Sequence, residues 1–291
     1  MSPSWQARAV AAIAGAVPDR VVARTLAKPS RRWELMPLVA PSVAERYEVD
    51  VTEIGAGRVA TARPRSAGSS RHAFYLHGGA YTLGLTHWSV AEPLLDRGWT
   101  VSLVDYPLAP EHTVAETVPM VLDAWRSVTD GASGPVDVLG DSAGGGLALV
   151  VLQQIRDLAL TRAGRAVLFS PWIDLVMSDP VTVESARHDP VLSLPGLRGA
   201  ADLYAAGRDL ADPLLSPIFG DLSGLGPVQV WVGTREMFLA QCCQLADLAA
   251  AEGVDGTEVD LRIAAGMIHD WSMLPIPEGR ASLEQAIRFL G

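Results

Sequence analysis

The sequence predicts an α/β protein with a mostly parallel sheet of eight strands and helices on both of its faces. Short runs rich in Val, Leu, Ile and Tyr, bounded by turn residues, are typical of buried strands. In the second half of the chain these runs alternate with helical patterns, which indicates parallel strands covered on both sides. The chain has 291 residues, 49% of them hydrophobic, so we expect one large domain over residues 1–291.

The eight predicted strands follow one another between residues 47 and 265. Their ranges are Tyr47–Ile54, Arg58–Arg63, His72–His77, Thr100–Tyr106, Val136–Gly140, Ala166–Ser170, Val228–Gly233 and Val259–Ala265. The stretch AGGGLALVVLQQIRDLAL after the fifth strand is apolar on almost all sides, which is typical of a buried helix. ASLEQAIRFL at the end of the chain has one apolar face and predicts a helix that packs on the sheet.

Two segments depart from this alternation and predict a helical cap over a pocket. The connection 171–227 is longer than one crossover helix requires, and it contains a predicted helix, LPGLRGAADLYAAG. The segment 1–45 precedes the first strand and begins with the spacing of an amphipathic helix. A signal peptide is the alternative for this start, although Pro18–Arg20 interrupts its apolar stretch. We expect the cap to consist of residues 1–45 and about 172–225.

Composition and charge exclude several classes of function. The net charge is −10, and the chain lacks a basic run that could neutralise phosphates, which disfavours nucleic-acid binding. No apolar run approaches the ~20 residues that a membrane span requires. The adjacent Cys242 and Cys243 have no metal-ligand spacing and fit a helix in a reducing compartment. We therefore expect a cytoplasmic protein without a bound metal.

The segment GDSAGG places Ser142 between glycines where the fifth strand is predicted to pass into a helix. Gly140 and Gly144 match the pattern Gly-x-Ser-x-Gly, in which small neighbours relieve the crowding of a sharp strand-to-helix turn. The helix N-terminus at this serine would favour a developing negative charge. An ordinary glycine-flanked turn is equally compatible with this motif alone, because a serine hydroxyl needs a base and an orienting acid to act as a nucleophile.

The segment HGGAY, His77–Tyr81, directly follows a predicted strand and contains paired glycines. Backbone N–H groups of Gly78 and Gly79, together with that of Ala143, would form an oxyanion hole. The alternative is a glycine turn beside a structural histidine. The order of the two motifs along the chain favours the oxyanion hole.

The general base is predicted to be His269 in GMIHDW, in the loop after the last strand. Functional residues of an α/β sheet gather at the carboxyl ends of its strands, and a hydrolase of this kind carries its histidine there. The other histidines, expected to be structural or ordinary loop residues, are His72, His77, His87, His112 and His188.

The orienting acid is predicted to be Glu236, the one carboxylate in VWVGTREMFLAQ after the preceding strand. Asp270 adjoins the histidine but is poorly placed to reach its far ring nitrogen. A surface glutamate at a helix start, where negative charge is favoured, is the alternative for Glu236. The resulting chain order is Ser142, Glu236 and His269, that is nucleophile, acid and base.

The segments HGGAY, DYPLAPEH, GDSAGG, DPLLSP, GTREMF and GMIH, in this order, resemble the hormone-sensitive-lipase family of α/β-hydrolase esterases. The resemblance runs from about Arg71 to the C-terminus. It implies the α/β-hydrolase fold with a helical cap, a serine carboxylic ester hydrolase of the carboxylesterase or lipase kind, and no cofactor. It also supports the nucleophile, base and oxyanion donors named above, and implies a structural role for Asp141.

The chain departs from the family pattern at two positions. Glu236 stands where the family usually has aspartate, so the loop that carries it must lie slightly farther from the histidine. Pro107 stands where the family often has arginine, which removes a local structural contact. The segment PIPEGRASLEQ near the end is similar to bacterial acetylesterases and terpene-lactone hydrolases.

The expected substrates are short- to medium-chain acyl esters or lactones, hydrolysed through an acyl-enzyme intermediate. The predicted pocket residues are apolar, namely Tyr81, Phe238, Ile268, Trp88 and Leu215. An amidase or acyltransferase with the same triad is an alternative function, and a non-catalytic small-molecule receptor is a second. The expected partner is a small molecule, and the sequence leaves a homodimer open.

Overall fold

The computed structural model describes residues 2–29, 37–66, 70–85, 88–251 and 253–291. His87 and the central part of the predicted N-terminal cap segment, residues 30–36, lie outside the described residues. The described part contains one eight-stranded sheet and ten α-helices.

All eight predicted strands are present, with ends that differ from the prediction by at most two residues. They are β1 (Glu48–Ile54), β2 (Gly57–Arg63), β3 (His72–Leu76), β4 (Thr100–Asp105), β5 (Val136–Asp141), β6 (Ala166–Phe169), β7 (Gly226–Gly233) and β8 (Thr257–Ala264). Their order in the sheet is β1-β2-β4-β3-β5-β6-β7-β8. The pairs β1–β2 and β2–β4 are antiparallel and the others are parallel, which confirms the predicted fold class.

Ten α-helices are described. They are α1 (Trp5–Ala14), α2 (Asp19–Ala27), α3 (Pro41–Arg46), α4 (Trp88–Leu95), α5 (Val114–Gly131), α6 (Ser142–Asp157), α7 (Pro180–Ser185), α8 (Leu194–Ala205), α9 (Leu239–Ala249) and α10 (Pro277–Leu290). None of the helices in the described ranges combines the length and the apolar character that crossing a bilayer would require.

The sheet has a hydrophobic core on each face, because successive side chains of a strand point to opposite sides. In β3, Phe74 and Leu76 join the core that contains the buried residues of α5, α6 and α9. The intervening Tyr75 joins the second core, with α4 and α10. An edge contact between Phe74 and Trp125 of α5, with ring centroids 5.3 Å apart, illustrates the packing of the first face.

The two segments that interrupt the alternation pack against each other through α2 and α8. Two glycines one turn apart on α8 make this close approach feasible. A Cβ on Gly196 would lie 2.8 Å from the Cα of Ala23, and one on Gly199 would overlap the Cβ of Ala27. Helix α2 therefore packs directly on the connection between β6 and β7, which contains α8.

Candidate active site

Ser142 occupies the sharp junction at which β5 ends and α6 begins, with no intervening loop. Its backbone φ of +50° is in the left-handed region, which residues other than glycine rarely adopt. Such a conformation often marks a functional site. The flanking glycines allow this junction. A Cβ on Gly140 would overlap the carbonyl of Gly144, and one on Gly144 would overlap the carbonyl of Leu76. The prediction that GDSAGG forms a strand-to-helix turn is therefore confirmed.

A continuous hydrogen-bonded chain joins the serine, the histidine and the glutamate that the sequence singled out. Nε2 of His269 lies 2.9 Å from Oγ of Ser142, and Nδ1 lies 2.9 Å from Oε2 of Glu236. All three residues are buried. The carboxyl ends of parallel strands meet at one edge of a sheet, so three residues distant in sequence come together after β5, β7 and β8.

Both carboxylate oxygens of Glu236 have partners. Oε2 faces His269, while Oε1 accepts hydrogen bonds from the backbone N–H of Gly233 at 2.6 Å and from Oγ of Ser170 at 2.8 Å. Ser170 directly follows β6, beside β7, and has a φ of +43°. Sequence reasoning missed this serine, although its position at the carboxyl end of a parallel strand could have marked it.

Asp270 contacts the same imidazole from the other side. Its Oδ2 lies 3.2 Å from Nε2 of His269, the nitrogen that also faces Ser142. The prediction that Asp270 does not take the far nitrogen therefore agrees with the geometry, because Glu236 occupies Nδ1. The contact with the near nitrogen was not expected from the sequence, and it depends on the left-handed backbone of Asp270, whose φ is +53°.

The electrostatics of the site favour a protonated imidazole. Burial by itself lowers the pKa of His269, but the carboxylates of Asp270 and Glu236 outweigh this and hold the pKa well above its ordinary value. Burial raises the pKa of the Glu236 carboxyl, against hydrogen bonds from His269, Gly233 and Ser170. Asp189 in the β6–β7 connection is a further carboxylate whose charge interacts with the imidazole.

The segment after β3 approaches the serine from the adjacent strand. A Cβ on Gly78 would lie 3.2 Å from the Cβ of Ser142, and Gly79 lines the same cavity as the serine. Gly79 has a φ of +115°, so glycine suits this turn. Ala143 is the second residue of α6, and the first N–H groups of a helix have no acceptor within the helix. Gly78 and Ala143 thus lie next to Ser142, and Gly79 lines the cavity onto which the serine opens.

Asp141 is fully buried directly before the serine. Its Oδ1 accepts a hydrogen bond from the hydroxyl of Tyr75. A Cβ on Gly78 would overlap its Oδ2, so glycine is required at this contact as well. Asp141, the last residue of β5, thus contacts β3 through Tyr75 and the segment after β3 through Gly78.

A cavity of about 360 Å³ opens at Ser142 and His269. Its walls come from α1, α2, the β3–α4 segment, the region around α8 and the loop after β8, and they are mostly aliphatic. The lining residues are Val10, Ala14, Val22, Leu26, Gly79, Ala80, Leu83, Leu85, Ser142, Val191, Leu192, Leu197, Ile268, His269, Asp270, Met273 and Leu274. Among the described residues of this lining, Asp270 is the one with an acidic side chain, and none is Lys or Arg.

Of the five predicted pocket residues, Ile268 lies on the wall of this cavity and the other four lie in packed regions. Tyr81 stacks on Tyr204 at 4.0 Å, and Phe238 packs its edge against His269 at 5.2 Å. Trp88 donates its indole N–H to the carbonyl of Leu38, and Leu215 is completely buried in the core. The lining of this cavity therefore differs from the expected one at four positions, and a role of these four residues in substrate binding stays a prediction.

The histidines expected to be structural fit that expectation where they are described. His77 is buried and stacks on Tyr106 at 4.3 Å, and His72 contacts Ser102 with its Nε2 at 2.9 Å. His112 lies near Glu116 on α5. Within the described ranges, no group of three or more His, Cys, Asp or Glu side chains could hold a metal ion.

Comparisons with known proteins agree with this fold. The model of an alpha/beta hydrolase fold family matches residues 73–273. The chain is 34% identical to an acetyl-hydrolase of Streptomyces hygroscopicus over 83% of this chain and 82% of that protein. It is 30% identical to an esterase of Acinetobacter venetianus over 77% of this chain and 75% of that protein.

Two solved esterase structures superpose on nearly the whole chain. The crystal structure of EstE5 soaked with ethyl alcohol has a TM-score of 0.82 and 27% identity, and covers 99% of this chain and 98% of that one. EstE7, described as a hormone-sensitive-lipase homologue from a metagenome library, has a TM-score of 0.82 and 28% identity, and covers 100% of this chain and 98% of that one. The chain belongs to the alpha/beta hydrolase family, within its hormone-sensitive-lipase group of esterases.

This membership confirms the resemblance seen in the sequence motifs and makes the chain an enzyme of the carboxylic ester hydrolase class. The roles of individual residues and the choice of substrate depend on the geometry of this particular site.

Proposed function

We propose that the chain hydrolyses short- to medium-chain carboxylic esters through a covalent acyl-enzyme on Ser142. The observation that carries this proposal is the unbroken chain of hydrogen bonds from Ser142 through His269 to Glu236, each link 2.9 Å long. A serine bonded to a base, and a base bonded to a buried carboxylate, is the arrangement that activates a hydroxyl for acyl transfer.

In the first step the neutral imidazole of His269 takes the hydroxyl proton at Nε2 as Oγ of Ser142 attacks the ester carbonyl. The Nδ1–H donates to Glu236, whose negative charge stabilises the imidazolium that forms. Ser170 and Gly233 hold the second oxygen of Glu236, so the carboxylate is oriented before the reaction begins.

The tetrahedral intermediate carries its negative charge on the former carbonyl oxygen. Backbone N–H groups of Gly78, Gly79 and Ala143 are assigned as the donors to this oxygen, because Gly78 and Ala143 adjoin Ser142 and Gly79 lines the same cavity. Donors of this kind each contribute roughly 3 kcal/mol to the transition state. The intermediate collapses when Nε2–H of His269 protonates the departing alcohol oxygen, and the acyl group remains on Ser142.

Water completes the cycle. His269 removes a proton from the water as it attacks the acyl carbonyl, and then returns the proton to Oγ of Ser142. The products are the carboxylic acid and the free serine, and atoms and charges balance without a cofactor or a metal.

The cavity supports the proposed range of substrates. At about 360 Å³ it lies near the lower end of typical small-molecule pockets, and its aliphatic walls suit a short or medium acyl chain. The Streptomyces relative is named an acetyl-hydrolase, and EstE5 was also soaked with p-nitrophenyl butyrate. Lactones present the same acyl carbonyl and are included in the proposal.

Residues 1–45 and about 172–225 are proposed to act together as the cap. The support for this is the close packing of α2 on α8 and the contribution of α1, α2 and the β6–β7 connection to the cavity wall. A cytoplasmic location and a homodimer, both considered from the sequence, stay predictions.

The test is hydrolysis of p-nitrophenyl butyrate by Ser142→Ala, with Ser127→Ala on the exposed side of α5 as the matched control. We expect the first variant to lose at least 10³-fold in kcat and the control to match the unmodified protein. Mass spectrometry after treatment with phenylmethylsulfonyl fluoride should find the adduct on Ser142. Full activity of Ser142→Ala would overturn the proposal. Parallel assays with an amide and with an alcohol acceptor distinguish amidase and acyltransferase activity.

A further inference from the structure

The cavity has one feature that ester hydrolysis does not require, the carboxylate of Asp270. Its Oδ2 lies 3.2 Å from Nε2 of His269, on a wall that is otherwise aliphatic apart from Ser142 and His269. Burying a carboxylate beside an apolar pocket is costly unless it is paired. One of its partners is the imidazole that carries protons during the reaction.

The position of Asp270 is fixed by the backbone. The residue has a left-handed conformation, with φ of +53°, and its N–H donates to Oγ of Ser170 at 3.2 Å. Ser170 in turn donates to Glu236. The backbone of Asp270 is therefore tied to the same network that positions the catalytic acid, and its side chain is about one-fifth exposed.

The geometry also indicates which part of the substrate Asp270 faces. In the step that releases the alcohol, the leaving oxygen must come within about 3 Å of Nε2, which protonates it. Oδ2 of Asp270 lies at a similar distance from the same nitrogen. The two oxygens are then at most about 6 Å apart, so the carboxylate lies beside the alcohol part of the ester.

We propose that Asp270 is a specificity-determining residue that selects esters whose alcohol part carries a positive charge and disfavours those whose alcohol part is negative. This inference rests on the proposed role of His269 as the acid that releases the alcohol. A carboxylate this close attracts an ammonium group and repels an anion. The described residues that line the cavity include no Lys or Arg.

The other charged groups around the imidazole do not serve this purpose. Glu236 faces the opposite nitrogen and is completely enclosed. Asp189 accepts hydrogen bonds from the backbone N–H groups of Val191, Leu192 and Met237, and it does not line the cavity. Asp270 is the carboxylate that a bound ester would meet.

The experiment uses three acetate esters of similar shape, with 2-(trimethylammonio)ethyl, 3,3-dimethylbutyl and 2-sulfonatoethyl alcohol groups. The first two differ only in a charged nitrogen in place of a carbon. The measured quantity is the ratio of kcat/KM for the cationic ester to that for the neutral one, at one pH and in 0.5 M NaCl. High salt suppresses attraction by distant surface charges.

We expect the cationic ester to be preferred about tenfold, which corresponds to ~1.4 kcal/mol, and the anionic ester to be the poorest substrate. Asp270→Asn should bring the ratio close to one. Asparagine has nearly the same shape and tolerates a left-handed backbone, so the fold is retained. Asp247→Asn, on the exposed face of α9, makes the same change in net charge and should leave the ratio unchanged.

The proposal is overturned if the unmodified protein does not prefer the cationic ester, or if Asp270→Asn keeps the preference. The first of these readouts requires no variant, so a folding defect in Asp270→Asn cannot rescue the idea. Failure of the proposed function gives a different result, since Ser142→Ala would then still hydrolyse the neutral ester. A Ser142-dependent enzyme with no charge preference would refute the role of Asp270 alone.

Discussion

Shortening Glu236 by one methylene group tests whether the loop that carries this carboxylate is held at a fixed distance from the histidine. Oε2 lies 2.9 Å from Nδ1 of His269, and Oε1 is held by Ser170 and Gly233. In Glu236→Asp the carboxylate withdraws by about one C–C bond. If the backbone stays in place, it lies roughly 4.4 Å from Nδ1, which is beyond hydrogen-bond range.

The size of the effect follows from the contact that is lost. A hydrogen bond to a charged group contributes about 1.5–3 kcal/mol, so we expect kcat of Glu236→Asp to fall by roughly 10- to 100-fold with little change in KM. Glu236→Gln should fall further, on the order of 10³- to 10⁴-fold. The glutamine side chain has one oxygen, so it cannot accept hydrogen bonds from His269 and Gly233 on separate oxygens as the carboxylate does. It also carries no charge to stabilise the imidazolium.

The assay is hydrolysis of p-nitrophenyl butyrate at saturating substrate, with circular dichroism to verify folding. Glu258→Asp and Glu258→Gln, at an exposed position of β8, are the matched controls and should behave as the unmodified protein. A Glu236→Asp variant with unchanged kcat would refute the idea of a loop held at a fixed distance. An unchanged kcat in Glu236→Gln would refute Glu236 as the acid.

Three further predictions concern the surroundings of the triad. His269 must be neutral to act as a base, so kcat/KM should decline as the pH falls through the raised pKa of this histidine. Asp270→Asn removes one of the carboxylates that raise this pKa and should move the decline to lower pH in a pH–rate profile. A shift to higher pH would contradict the role of Asp270 in raising the pKa of His269. Ser170→Ala removes a hydrogen bond to Glu236 and should lower kcat about tenfold at constant KM; an effect on KM alone would argue against a positioning role. Gly199→Leu should push α2 away from α8, raising the KM for p-nitrophenyl butyrate severalfold and lowering Tm by about 5 °C; unchanged KM and Tm would show that this packing is not needed.

Much of the fold could be predicted because the relevant signals are local. Each of the eight strands was recognised from a short run of its own residues, and the central parallel strands, such as β3 and β5, are fully buried. The helix α8 was likewise recognised within the long β6–β7 connection. The order β4-β3-β5 in the sheet has no local signal, since it depends on how crossover connections pack on the sheet.

The composition of the candidate site was also predictable in part. Ser142, Glu236 and His269 each follow a strand, and parallel strands bring their carboxyl ends together, so their order along the chain was enough to nominate them. The lining of the cavity was not predictable in the same way. Tyr81, Phe238, Trp88 and Leu215 are apolar residues near the site, and nothing in a sequence pattern tells whether such a residue faces a cavity or its neighbours.

The sequence by itself determined the strands, the strand-to-helix turn at Ser142 and the choice of Glu236 and His269 as its partners, because these depend on short motifs and their order. Only the tertiary structure decided that Ser170 holds Glu236 and that Asp270 contacts the near nitrogen of His269. Both contacts depend on which strands are neighbours and on backbone angles in the left-handed region. Such contacts join residues from different parts of the active-site edge of the sheet. Which of these residues meet depends on how the whole chain packs, and no local sequence pattern specifies it.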